Sequence, residues 1–187
     1  MLEIRWHGRG GQGAVTAAEI LASAAIMEGK WAQAFPSFGA ERRGAPVQAY
    51  TRIDDHPIYD RSFIYKPDVV VVLDHGLIQG DHAHDVVSGL KPQGKLIINT
   101  SKKVEELRGQ IKHQGNVALV NATAIAIEIL GRPIVNTAML GAIAKIVDIV
   151  KLPSIIKVIE ERFEKRMADK NIKAVMKAYE ETMIGVV

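Results

Sequence analysis

Apolar residues follow two rhythms along this chain. In the first two thirds, short apolar runs of strand length alternate with stretches of helical spacing; in the last third only helical spacing remains. Leu2 to His7 reads as a short strand running straight into Gly8-Arg9-Gly10-Gly11-Gln12-Gly13. From Ala14 to Glu28, Val15, Ala18, Leu21, Ala22, Ala25 and Ile26 recur at helical spacing, and Gly29 stops the helix. Trp31 to Pro36 and Pro46 to Ile53 predict strands around a loop, Ser37 to Pro46. Asp54 to Pro57 predicts a turn, and Ile58 to Phe63 a returning hairpin strand. Val69 to Leu73 is apolar enough for a strand covered on both faces, and Asp74 ends it where ligand crevices form.

Beyond Asp74 the pattern predicts a helix over Gly76 to Ser88, a strand over Lys95 to Asn99 and a weak helix over Val104 to Ile111. A short strand, Val117 to Val120, and a helix, Thr123 to Leu130, follow, the latter closed by Gly131-Arg132-Pro133. Asn136 to Val150 is a strongly apolar helix. Ser154 to Phe163 starts on a serine cap, and Asp169 to Met183 is amphipathic. This alternation predicts an α/β fold. Three layers, α/β/α, surround a central, mainly parallel sheet, and the C-terminal third is helical.

Composition narrows the function. The 187 residues carry 24 Lys plus Arg against 21 Asp plus Glu, a net charge of +3, with a pI of about 9.1. That balance does not describe a nucleic-acid binder, although it permits an anionic ligand. A hydrophobic fraction of 48% and a charged fraction of 24% exclude disorder and fit one domain over residues 1–187. The absence of cysteine excludes a thiolate nucleophile, a disulfide and cysteine-held zinc or iron–sulfur sites on this chain. No apolar signal core opens the sequence and no stretch reaches the roughly 18 apolar residues of a membrane span, so a cytoplasmic protein is expected.

The sharpest chemical signal is the glycine block. Gly8, Gly10 and Gly13 match G-x-G-x-x-G, with Gly11 and Gln12 between them. Placed between strand and helix, such a turn lets backbone N–H groups and a helix N-terminus approach an anion. Ala14 and Val15 stand where a P-loop needs Lys and Ser/Thr, so a P-loop NTPase is excluded. A dinucleotide site needs an acid at the end of the second strand, where Ala34-Phe35-Pro36-Ser37 stands instead. Arg42 and Arg43, between Gly39 and Gly44, can clamp phosphate or carboxylate, or contact another chain. Asn136 and Thr137 either cap the apolar helix or hydrogen-bond a ligand reaching that end of the sheet. Asp74, His75, His82 and His84 could suggest metal or acid–base work, but His82 and His84 diverge on a helix and read as surface residues.

The blocks GRGGQGAVTAAEIL, QAFPSFGAERRGAPVQAYTRI, PDVVVVLD and NTAMLGAIAK, in this order, resemble the gamma subunits of pyruvate:ferredoxin oxidoreductases. The wider family is the 2-oxoacid:ferredoxin oxidoreductases, and the resemblance runs from Leu2 to about Ile155. It implies a small α/β subunit joined to alpha, beta and delta chains, or fused with them. The complex converts pyruvate and coenzyme A to acetyl-CoA and carbon dioxide and reduces ferredoxin. Thiamine diphosphate, magnesium and iron–sulfur clusters are implied on the partner subunits, which agrees with a chain lacking cysteine.

For this chain the resemblance implies assembly and a share of the coenzyme A site. The matching positions are Gly8, Gly10, Gly11, Gln12 and Gly13, the pair Arg42 and Arg43, and Asn136 with Thr137. Fused members carry lysines where this chain has the two arginines, which keeps the charge and changes the geometry. No residue is expected to act as acid or base. A purely structural subunit is the alternative, as is the same role for 2-oxoglutarate, a branched-chain 2-oxoacid or indolepyruvate.

Overall fold

The computed structural model describes residues 1–37, 44–79, 83–107, 111 and 115–186. The strands are β1 (Leu2–Arg9), β2 (Trp31–Pro36), β3 (Pro46–Asp54), β4 (Val69–Val72), β5 (Lys95–Asn99), β6 (Asn116–Val120) and β7 (Met183–Val186). They form one sheet in the order β2-β3-β1-β4-β5-β6-β7. β1, β4, β5 and β6 run parallel; β2 and β3 are antiparallel on one side, and β7 is antiparallel at the other edge.

The two faces of the sheet are covered unequally. One carries the helices α1 (Ala14–Met27), α4 (Ala122–Leu130), α5 (Asn136–Ile146), α6 (Leu152–Arg162) and α7 (Lys165–Glu181). They close over Ile4, Trp6, Val69, Val71, Ile97, Ala118 and Val120. The other carries the short helices α2 (Ala83–Val87) and α3 (Val104–Leu107) over Val70, Val72, Leu96, Ile98, Val117 and Leu119. The all-valine β4 is buried on both sides, as a parallel strand between two layers must be. Trp6 shows how the layers lock. Its ring is fully buried, worth roughly 2–3 kcal/mol, and its Nε1 donates to Thr51 Oγ1 at 3.0 Å, whose hydroxyl reaches Ala18 O at 3.3 Å.

Several expectations need correction. Ile58 to Phe63 forms no strand, because both edges of β3 are already taken by β1 and β2. The segment instead crosses the sheet face, where Arg52 binds Asp60 O and Ser62 Oγ and Phe63 stacks on Tyr50. The helix over Gly76 to Ser88 is a 3-10 turn, His75–Ile78, followed by α2; Gln79 is extended and residues 80–82 lie outside the description. The helix over Val104 to Ile111 is described only as α3, and residues 108–110 are again outside it. α5 ends at Ile146 rather than Val150, since Val147 turns extended while staying buried.

Ser154 does not cap α6. That helix starts at Leu152 with Pro153 in its first turn, a position proline favours because no N–H is needed there. α7 begins at Lys165, before Asp169, and β7 occupies the chain from Met183.

Candidate functional site

Each parallel strand delivers a polar residue at its C-terminal end. β1 runs into the glycine turn, β4 reaches Leu73 and Asp74, β5 ends at Asn99 before Thr100, and β6 is followed by Asn121. These residues line a cleft of about 870 Å³ together with Lys102, Thr123 and the segment Arg132 to Val135. The volume lies near the upper end of the roughly 300–1,000 Å³ typical of small-molecule sites.

Three helix N-termini open onto this cleft. Gln12 lies beside Gly13, the N-cap of α1; Asn121 is the N-cap of α4; Val135 is the N-cap of α5. Asn121 Oδ1 accepts from Ala124 N, and Asn99 Oδ1 takes Thr123 N, so α4 is capped from within. No side chain among the described residues caps α1, so its first N–H groups and the positive end of its dipole suit an anion. Arg132 is exposed at the rim and Lys102 is half-buried, which adds positive charge.

The glycines have distinct duties. Gly11 and Gly13 adopt φ of 95° and 81°, the left-handed region that other residues resist. Gly13 also meets Asn136: a Cβ there would lie 2.5 Å from Asn136 Nδ2. Gly10, Gly11 and Gln12 line the cleft, while Gly8 sits within β1. Arg9 is turned inward, its Nε 3.2 Å from Asp74 Oδ2 and one terminal nitrogen 3.3 Å from Gly44 O.

The remaining sequence-predicted residues are placed as follows. Arg42 and Arg43 lie outside the described residues. The stem that follows them is described and joins the glycine turn, with Gly10 N bonded to Ala45 O and Gly44 N to Gly10 O. Asn136 does not cap α5; it is the first helical residue, and its Oδ1 accepts from Thr137 N at 2.9 Å. Thr137 is fully buried, its hydroxyl donating to Asn171 Oδ1 in α7 at 2.8 Å.

Asn99, Asn121, Thr123 and Arg132 were not among the expected site residues. For the two asparagines the signal was present, because β4, β5 and β6 each read as an apolar run closed by Asp or Asn. Of the histidines considered, His82 lies outside the description, and no three His, Asp or Glu among the described residues are arranged to hold a metal. Both ring nitrogens of His75 are buried without a hydrogen-bond partner among the described residues. Burial, reinforced by Lys102 and opposed by Asp74, pulls its pKa below the ordinary histidine value.

The profile of the pyruvate ferredoxin/flavodoxin oxidoreductase family matches residues 3–181. The chain is 57% identical over 185 residues to the common subunit gamma of the pyruvate/ketoisovalerate oxidoreductases of Thermococcus kodakarensis, covering 98% of both. It superposes on the crystal structure of pyruvate oxidoreductase subunit PORC from Thermotoga maritima with a TM-score of 0.87 at 42% identity, again covering 98% of both chains. A 2-oxoglutarate:ferredoxin oxidoreductase from Magnetococcus marinus, solved with 2-oxoglutarate, coenzyme A and succinyl-CoA bound, gives a TM-score of 0.73 at 19% identity. That match covers 95% of this chain and 30% of the longer one, and at that identity the likeness is one of fold. No helix among the described residues is long and apolar enough to cross a membrane.

Proposed function

Because the chain belongs to the pyruvate ferredoxin/flavodoxin oxidoreductase family, as a gamma subunit of a 2-oxoacid:ferredoxin oxidoreductase, we propose that its cleft holds part of coenzyme A for the assembled enzyme. The observation that carries this reading is the convergence of the glycine turn, the uncapped N-terminus of α1 and the basic residues Lys102 and Arg132 on one cleft. Coenzyme A brings a pyrophosphate and a 3′-phosphate, and these are the groups that open N–H donors and guanidiniums recognise.

In this reading Gly10 and Gly11 face the ligand, Gln12 braces the turn through Arg9 N and Asp74, and Gly8 and Gly13 let the backbone approach. Arg42 and Arg43 are assigned to the same ligand by sequence, since the described stem that follows them is bonded to Gly10. Asn136 and Thr137 support the turn from behind, through Gly13 and through α7. The subunit's contribution is positioning, which holds the ligand so that its thiol meets the acyl group supplied by the partner chains. Thiamine diphosphate with magnesium, and the iron–sulfur clusters, would supply decarboxylation and electron transfer from the alpha, beta and delta subunits, and ferredoxin takes the electrons.

Residues 1–187 act as one gamma-type unit in the cytoplasm, with pyruvate as the substrate. The common gamma subunit of the Thermococcus enzymes favours ketoisovalerate as a second one. Exposed Trp31, Tyr59 and Tyr65 supply aromatic surface suited to subunit contacts. The test is steady-state turnover of the reconstituted complex with Arg132→Ala and with the double variant Arg42→Ala, Arg43→Ala. The KM for coenzyme A rises in both, while pyruvate-driven reduction without coenzyme A is unchanged. An unchanged KM in both, with assembly intact, leaves the subunit a scaffold.

A further inference from the structure

A carboxylate in a cleft meant for phosphates needs a physical reason. Asp74 lines the cleft, yet its oxygens are spent on the protein. Oδ1 accepts from Gly76 N at 2.8 Å. Oδ2 accepts from Gln12 Nε2 at 2.8 Å and from Arg9 Nε at 3.2 Å. Gln12 turns its other end back on the same turn, where Oε1 accepts from Arg9 N at 2.8 Å. Arg9 continues to Gly44 O, in the stem that also exchanges two backbone hydrogen bonds with Gly10. One side chain at the end of β4 thus ties together the glycine turn, the 3-10 turn after β4 and the stem leading into β3.

Two glycines bordering the network leave it room. A Cβ on Gly8 would come within 3.3 Å of Gln12 Oε1, and one on Gly76 within 3.0 Å of Asp74 Oδ1 and 3.5 Å of an Arg9 terminal nitrogen. The charges also balance locally, since the Arg9 guanidinium lies against the Asp74 carboxylate. The repulsion that a bare carboxylate would exert on a phosphate is reduced, and Lys102 and Arg132 also line the cleft.

We infer that Asp74 is a positioning residue of the cleft: acting through Gln12 and Arg9, it fixes the outline of the glycine turn and thereby sets affinity for the phosphate-bearing ligand. This rests on the coenzyme A reading. Asp74→Ala removes a charged acceptor from three donors and leaves Arg9 without its counter-charge. Asp74→Asn keeps one acceptor oxygen but turns an amide N–H₂ toward donors. Gln12→Met keeps the volume and removes both of its hydrogen bonds.

The experiment measures KM and kcat of the reconstituted complex for coenzyme A and pyruvate, with reduction by pyruvate alone as a separate readout. Asp74→Ala raises the coenzyme A KM by about tenfold, and Asp74→Asn and Gln12→Met by about threefold. The pyruvate KM and the reaction without coenzyme A stay at wild-type values. Asp74→Asn combined with Gln12→Met is no worse than either alone, because the two side chains act as one unit.

A raised KM for Arg132→Ala beside unchanged values for the Asp74 and Gln12 variants overturns the inference and spares the cleft. Unchanged values for all of them overturn the cleft reading as well. Losses that fall equally on both substrates and on assembly mark a general structural role and overturn the inference. If Asp74→Ala does not assemble, Asp74→Asn and Gln12→Met, which preserve volume, decide the outcome.

Discussion

Gly13→Ala tests the junction on which the cleft depends. Gly13 holds φ of 81° as the N-cap of α1, and its missing side chain is where Asn136 of α5 sits. Alanine in the left-handed region costs about 1–2 kcal/mol. The new Cβ would also lie 2.5 Å from Asn136 Nδ2, 3.0 Å from its Cγ and 3.1 Å from its Cβ. Relieving that overlap displaces Asn136 or tilts α1 against α5, at roughly 1–3 kcal/mol. The expected loss is about 3 kcal/mol in urea unfolding of the full chain.

The two causes separate in a cycle. Asn136→Ala deletes the Nδ2 and Cγ contacts and leaves only Cβ. Alone it costs about 1 kcal/mol for the lost bond to Thr137 N. In the double variant the overlap is relieved while the φ penalty remains, so the pair is about 1–2 kcal/mol better than the sum of the singles. A coupling near zero, or a Gly13→Ala chain as stable as wild type, would refute the claim that this contact fixes the turn.

Two further predictions concern groups away from the cleft. His7 is buried, and its Nε2 accepts from Arg5 Nε at 3.0 Å; burial first, then the Arg5 charge, lowers its pKa to about 3. Its folded pKa lies below the unfolded value, so the unfolded chain binds the extra proton. Stability is therefore lost at about 1.4 kcal/mol per pH unit as pH falls from about 6.5 toward 3. His7→Gln keeps an acceptor for Arg5 and flattens the stability profile by about 2 kcal/mol between pH 7 and 5. Parallel profiles would show that His7 is not the titrating group. Gly141 lies where α5 meets α7, and a Cβ there would fall 2.1 Å from Val175 O. Gly141→Ala costs about 2 kcal/mol after its helix-propensity gain of about 1 kcal/mol, lowering Tm by about 4–8 °C; an unchanged Tm would mean that α7 yields freely.

The sequence carried the parallel core well, because Val69 to Val72 and Leu96 to Ile98 are buried on both faces and read as apolar runs with no competing pattern. Ile58 to Phe63 misled for a non-local reason. Its residues suit a strand, but no edge of β3 was free, and sheet order is not written in any window of the chain. Ser154 misled because Pro153 sits in the first turn of a helix that starts at Leu152, three positions before the start a serine cap would set. β7 was missed because Met183 to Val186 is a strand only by pairing with β6, far away in sequence.

In the site, the glycine block was legible because positive φ and close approach demand glycine at Gly11 and Gly13. Arg9 lies within the glycine block, yet its guanidinium is held by Asp74, a partner 65 residues away. Asn99 stands at a strand end that the sequence shows, but its pairing with Thr123 was illegible for the same reason. Their mutual bonds, at 2.8 Å and 3.1 Å, exist only once β5 and α4 are side by side.

Coenzyme A held at the C-terminal ends of β1, β4, β5 and β6 would slow hydrogen exchange there. Comparing the assembled complex with and without coenzyme A should show slowed exchange in peptides spanning Gly8 to Thr16, Thr100 to Lys103 and Arg132 to Thr137, with α6 and α7 unchanged. Protection confined to the partner chains, with the glycine turn exchanging as freely as before, would contradict that placement.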